Sequence, residues 1–218
     1  GGEARTPVLV AERISKSFGE VQVLFSVDFD VLPGEVHALM GENGAGKSTL
    51  VKILSGFEQA TAGRILLDGE PVTLPANGAA EALGIVLIHQ EFNLADHLTV
   101  TESLFLGREV TRFGLLDRAT MRAEARRVLD QLGSRIDENA LISSLAVADK
   151  QMVEIAKAIS RKARIVFMDE PTAVLSRDET EVLFDQVRKL RARGTSFVFV
   201  SHKLDEVMEL TDRVTVLR

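Results

Sequence analysis

Residues 35–49 read EVHALMGENGAGKST, and their reading decides the fold. Glu35–Met40 (EVHALM) is an almost unbroken apolar run, as expected of a strand buried on both faces of a parallel sheet. It runs directly into Gly41-Glu42-Asn43-Gly44-Ala45-Gly46-Lys47-Ser48, which matches G-x-x-x-x-G-K-[ST]. Thr49 and the apolar LVKIL follow, so the spacing predicts a helix from Ser48 to Ser55 with Gly56 as its stop. Strand, glycine loop and helix in this order form a phosphate cradle. Glycines let backbone N–H groups curl around phosphate oxygens, and the helix N-terminus adds its dipole. On this reading Lys47 reaches the β- and γ-phosphates of a nucleotide, and the Ser48 hydroxyl ligates Mg²⁺.

Three further apolar runs end in polar residues. Gly84–Ile88 leads to His89-Gln90-Glu91, Ile165–Met168 to Asp169-Glu170, and Phe197–Val200 to Ser201-His202. With helical stretches between them they predict an α/β fold on a parallel sheet, whose ligands lie beyond the carboxyl ends of the strands. One site then collects the glycine loop, Gln90, two carboxylates and a histidine. Asp169 suits the Mg²⁺-organising carboxylate of a P-loop nucleotide hydrolase. Glu170 follows at once and, on a pleated strand, faces the other way, free to orient and deprotonate an attacking water. His202 is positioned to touch the γ-phosphate.

The totals set limits. At 218 residues the chain can bury a sizeable core, and 45% hydrophobic with 27% charged residues is ordinary for a globular protein. Apolar runs of four or five residues are too short to span a bilayer, so a membrane role needs a membrane partner. The net charge of −6 argues against a nucleic-acid surface. With no cysteine there are no disulfides or thiolate metal sites, which fits a reducing cytosol. No signal-peptide pattern is present, and the Gly1-Gly2 opening without Met predicts a processed or cut start.

A long interval separates Lys47 from Asp169, and its helices are legible. Thr99-x-x-Glu102 predicts a capping box opening a helix through Leu106. Asp117 caps another, with Met121, Ala125, Val128, Leu129 and Leu132 on one face and Gly133 as the stop. In the N-terminal part, Phe25, Val27, Phe29 and Val31 alternate with polar residues, predicting a half-buried antiparallel strand, and Asp68-Gly69 predicts a hairpin turn.

The order GENGAGKST, HQE, SLAVADKQ, IVFMDEPTAVLS and SHK resembles the ATP-binding cassette of ABC transporters from about Val8 to Arg218. The wording VHALMGENGAGKSTLVKILSG, IHQEFNL and QMVEIAKAI is most similar to the N-terminal cassette of tandem ATPase subunits of bacterial monosaccharide importers. The resemblance implies a RecA-like parallel-sheet core, β-subdomain strands within 8–75, a helical subdomain at 92–160 and the rest of the core at 161–218. It also implies that the chain is one cassette of a longer tandem polypeptide. ATP and Mg²⁺ are the implied ligands, held by Gly41 through Thr49 and by Asp169, with Gln90 joining Ser48 and Asp169 at the metal and acting with Glu170, His202 and Lys47 in hydrolysis. Phe18 is the implied adenine-stacking aromatic. The implied partners are a second cassette, a transmembrane permease docked near Gln90 and 91–98, and indirectly a periplasmic sugar-binding protein. The implied place is peripheral, on the cytoplasmic face of the cell membrane, with no nucleic acid expected.

In the same family a signature reading LSGGQ opens a helix and caps the ATP of the opposite cassette. Here its place is taken by Leu145-Ala146-Val147-Ala148-Asp149. Ala146 lacks the hydroxyl that donates to the γ-phosphate, a bond to a charged group worth about 1.5–3 kcal/mol. Ala148 puts a methyl where backbone should approach closely. The sequence therefore predicts a weakened signature beside an intact Walker A loop, Glu170 and His202. Two rivals stay open: a soluble ATPase of this class acting on nucleic acid or the ribosome, and a nucleotide-binding regulator without turnover. The intervening helices show no sustained heptads and no cysteines, unlike repair and chromosome types.

Overall fold

The apolar strands predicted above do pair with one another. In the computed structural model, which describes residues 5–74, 79–89 and 94–218, the chain packs as two units. The first comprises Gly1–Gln90, Ala163–Pro171 and Val187–Arg218, and the second Glu91–Lys162 and Thr172–Gln186.

In the first unit, β1 (Leu9–Phe18), β2 (Val21–Val31), β4 (Ala62–Leu67) and β5 (Glu70–Val72) form an antiparallel sheet in the order β2-β1-β4-β5. A second sheet is parallel: β3 (Val36–Met40), β6 (Ile85–Ile88), β9 (Ile165–Asp169), β10 (Ser196–Val200) and β11 (Arg213–Val216), in the order β11-β3-β10-β9-β6. Residues 36–39, 165–168 and 197–200 are buried throughout, as their unbroken apolar character requires. Helix α1 (Lys47–Leu54) places Leu50, Val51, Ile53 and Leu54 in one core with Leu39, Phe167, Val198 and Val200 of the parallel sheet and Leu9, Ile14, Leu24 and Phe29 of the antiparallel one. Each such side chain contributes about 1.5–3 kcal/mol of burial free energy.

The alternation predicted along β2 holds for Phe29 and Val31 but not for Phe25. That ring is 65% exposed, and its neighbour Leu24 is 1% exposed. The register against β1 shifts in this stretch, with Ser26 at φ 51° and its N–H donating to Ser15 Oγ at 2.9 Å. A bulge of this kind turns the face of every residue beyond it, which alternation alone does not reveal. The Asp68-Gly69 hairpin is as expected. Leu67 pairs with Glu70, and the two turn residues have φ 51° and 83°, the positive pair of a type I′ turn. Asp68 is also held by both arms of the Arg164 guanidinium at 2.9 and 2.7 Å.

A polar cluster ties β2, β3 and β11 together. Arg213 donates to Asp30 and to Glu35 (2.8 Å), while His37 lies between the Asp30 carbonyl and the Thr215 hydroxyl, both at 2.7 Å, and stacks on Phe29. Burial, and then the Arg213 charge, hold the His37 pKa below its ordinary value.

The second unit is mainly helical. Helix α2 (Val100–Phe105) starts with the predicted capping box, Thr99 and Glu102 satisfying each other's backbone N–H groups. Helix α3 (Arg118–Gln131) is capped by Asp117, buries Met121, Ala125, Val128 and Leu129, and is followed by Leu132 and by Gly133 at φ 66°. Helix α4 (Val147–Ser160) is buried along almost all of residues 151–158, on several faces at once. Between α2 and α3 a small hairpin, β7 (Thr111–Arg112) and β8 (Leu115–Leu116), forms where the sequence has no strand pattern. Helix α5 (Arg177–Ala192) opens with Ser176 and Glu179 in mutual side-chain to backbone hydrogen bonds; from Val187 the chain belongs to the first unit, where α6 (Leu204–Leu210) precedes β11.

Candidate functional site

The glycine loop is held by close packing. Gly46 precedes α1 with φ 88°, and a Cβ there would sit 2.6 Å from Leu24 Cδ2. A Cβ on Gly41 would collide with the Leu217 carbonyl oxygen. No larger residue fits either place, so β2 on one side and the segment after β11 on the other fix the loop's course. Neither wall is visible in the motif. The Lys47 side chain, only 7% exposed, donates from Nζ to the Gly41 carbonyl and so folds back along the loop. Ala45 N–H closes a turn on the Glu42 carbonyl at 3.1 Å. Glu42, Asn43 and Gly44 are exposed, and Thr49 is half-buried in the first turn of α1. Gly41 through Ala45, His202, Leu204 and Leu217 border an open cleft of about 960 Å³.

Adjacent parallel strands bring the acids to this loop. Asp169 is the last residue of β9, and its Oδ2 accepts from the Ser48 hydroxyl at 3.3 Å. Burial, and then the neighbouring Glu170 carboxylate, raise the Asp169 pKa, while the Ser48 hydrogen bond opposes them. A cation beside Ser48 would offset both the burial of this carboxylate and the charge of its neighbour.

Glu170 diverges from Asp169 as expected, though not by strand pleat. The strand has ended, and Glu170 adopts φ 47° with its N–H donating to the Val200 carbonyl at 3.0 Å. A non-glycine residue in this region costs roughly 1–2 kcal/mol, and such strain tends to collect at functional positions. Its Oε1 is 2.9 Å from His202 Nδ1, whereas its Oε2 is buried without a hydrogen-bond partner among the described residues. A carboxylate only accepts, so Nδ1 carries the proton in this contact. The His202 side chain is otherwise 63% exposed, at the end of β10. A glutamate with one oxygen held and the other unsatisfied can accept a proton from water.

His89, which the sequence reading left without a role, stands beside this group. Its ring meets Phe57 edge-on at 5.4 Å, and burial, then the Lys52 charge, lower its pKa against the pull of Asp169. The HQE motif includes it, but the role there belongs to Gln90. Gln90 and the first part of the 91–98 segment, residues 91–93, lie outside the described residues. Phe18 ends β1 half-exposed, with Lys16 Nζ 4.8 Å from its ring centroid.

In the second unit, Leu145 to Asp149 span the start of α4. Ala146 is the N-cap, extended at φ −64° and ψ 159°, with no side-chain cap. Ala146 and Val147 are exposed, and Asp149 lies in the first turn. Lys150 pairs with Asp96 at 3.1 Å. Gln151 is buried, its Nε2 without a partner among the described residues.

A glycine loop between β3 and α1, facing two diverging carboxylates and a histidine at neighbouring strand ends, defines a P-loop nucleotide-binding protein. Residues 24–173 match the ABC transporter family, and the chain belongs to it. It is 53% identical over 212 residues to the ribose import ATP-binding protein RbsA 1 of Rubrobacter xylanophilus, covering 97% of this chain and 42% of that protein. It is 54% identical to the ribose import ATP-binding protein RbsA of Chromobacterium violaceum, covering 94% and 41%. The chain thus spans about two-fifths of the length of the curated relatives it matches. Among solved structures, a nucleotide-free ATP-binding cassette from an ABC transporter superposes with a TM-score of 0.86 at 27% identity, covering 97% of this chain and 88% of that one.

Proposed function

We propose that this chain binds Mg·ATP at the Gly41–Thr49 loop and hydrolyses it to drive a monosaccharide importer. The observation that carries the reading is Glu170, strained and half-buried, with Oε1 on His202 and Oε2 buried and without a partner among the described residues. The loop N–H groups and Lys47 hold the phosphates, and Phe18 stacks the adenine. Ser48, Asp169 and Gln90 hold Mg²⁺, which supplies positive charge to the phosphate oxygens. Glu170 Oε2 accepts the proton of the attacking water. His202 keeps that carboxylate aimed through Nδ1 and, as the imidazolium, has Nε2–H for a phosphate oxygen. The relatives named as ribose import proteins support a monosaccharide as cargo.

By the same reading the chain works as one cassette of a pair, with a second cassette, a permease and a sugar-binding protein, at the cytoplasmic face of the cell membrane. Among the described residues no helix is long and apolar enough to cross a membrane. Leu145 to Asp149 face the nucleotide of the other cassette and serve it poorly, lacking the hydroxyl. The test is Mg-ATP hydrolysis against protein concentration, with nucleotide binding measured in parallel. Specific activity that climbs with concentration means that two copies close on each other. Good binding with background turnover at every concentration means that a different cassette must supply the signature. Failure to bind ATP at all overturns the reading.

A further inference from the structure

The hairpin Thr111–Leu116 presents an apolar surface that neither the fold nor the nucleotide site uses. Its two turn residues, Phe113 at φ 54° and Gly114 at φ 78°, link the Arg112–Leu115 pair as Asp68 and Gly69 link Leu67 and Glu70. In this turn the first central position suits Asn, Asp or Gly, and a bulky residue at positive φ is an outlier. Phe113 is therefore not explained by the turn. Nor is it explained by packing: it is 93% exposed, the most exposed large apolar side chain among the described residues, and the neighbouring Leu115 is 75% exposed. Leu116 and Leu106 are exposed as well.

The tip carries a cation of its own in Arg112, while Arg118 farther along is paired with Glu102 at 3.7 Å. Asp117 is committed to capping α3. The Arg112 guanidinium lies 5.5 Å from the Phe113 ring centroid. Phe113 and Leu115 beside the Arg112 guanidinium match the layer where acyl chains meet anionic headgroups. A six-residue hairpin offers far less than the roughly 800 Å² per partner of a standard protein interface, whereas a bilayer demands no shape complementarity.

We propose that this hairpin is a lipid-contacting tip that enters the headgroup layer of an anionic bilayer, Phe113 and Leu115 inserting while Arg112 engages lipid phosphates. The proposal needs no nucleotide, so it stands or falls separately from the ATPase reading. The chain has no Trp, so Phe113→Trp gives a single reporter at the tip. The probes are vesicles of phosphatidylcholine alone and of phosphatidylcholine with an equal part of phosphatidylglycerol. With the anionic vesicles, the reporter's emission is expected to shift to the blue and to be quenched by brominated acyl chains. In co-sedimentation, Phe113→Ser is expected to lower vesicle partitioning about tenfold. Arg112→Ala is expected to weaken binding and flatten its salt dependence. Melting curves verify that the variants are folded. Unshifted emission with anionic vesicles, or Phe113→Ser partitioning like the parent, overturns the proposal. So does a blue shift seen only with detergent-solubilised permease, which would make the tip a protein contact.

Discussion

Helix α1 begins at Lys47 behind Gly46, and helix α4 begins at Val147 behind Ala146; neither start has a side-chain cap. Both are helix N-termini, with the same dipole and the same unsatisfied N–H groups. At α1, left-handed Gly46 lets the chain approach from a loop fixed by Leu24 and Leu217, no acid lies in the first turn, and Lys47 adds a buried cation. At α4 the N-cap is an extended alanine, and Asp149 already places a negative charge on the positive end of the helix. A helix start is only half of an anion site. Close backbone approach and a cation make up the rest, and α1 has both.

The strongest way to break this contrast is to remove the cation of α1. Lys47→Ala is expected to lower ATP turnover by about a thousandfold, the scale of losing one preorganised charge at a reacting phosphate. Steady-state phosphate release measures it, and near-parental turnover would remove α1's claim. Glu170→Gln is expected to cut turnover by roughly 10²–10⁴ while titrated ATP affinity stays close to parental, separating proton transfer from phosphate holding. Gly46→Ala drives a methyl into Leu24 at a positive φ and should cost about 1–3 kcal/mol of stability, read as a lower melting temperature together with weaker nucleotide binding.

The changes at α4 are smaller, and its two substitutions differ from each other in sign. Ala146→Ser supplies the missing cap and should add about 1 kcal/mol. In a chain of this size that raises Tm by about 2–4 °C. Ala148→Gly should lower stability by about 0.5–1 kcal/mol, because glycine gains nothing inside a free helix. Combined, the two are expected to strengthen ATP-driven pairing of cassettes by sedimentation, despite little net change in Tm. Unaltered pairing would show that the start of α4 takes no part in nucleotide closure.

How legible each feature was followed the physics that fixes it. The four core strands, the P-loop helix, the Thr99–Glu102 capping box and the Asp117 cap were readable because each depends on residues adjacent in the chain. Phe25 was misplaced because the bulge at Ser26 is set by β1, whose partner residues lie more than ten positions away. The divergence of Asp169 and Glu170 was foreseen, but through pleat rather than through the left-handed turn that produces it. His89 carried no signal of its own, since its surroundings come from Phe57, Lys52 and Asp169, residues that only tertiary packing collects. The β7–β8 hairpin was missed because Phe113-Gly114 lacks the polar first residue that marks such turns.

The strand order β11-β3-β10-β9-β6 also has a consequence for synthesis. β3 carries the glycine loop and is made early, yet both of its neighbours, β10 and β11, are made after residue 195. A ribosome adding about 5–20 residues per second leaves VHALM unpaired for on the order of ten seconds. For that time the apolar strand is exposed to chaperones or to aggregation, while the Asp30–Arg213 and His37–Thr215 contacts wait for β11 to emerge. The nucleotide loop is thus encoded well before the strands that flank β3 and hold it in place.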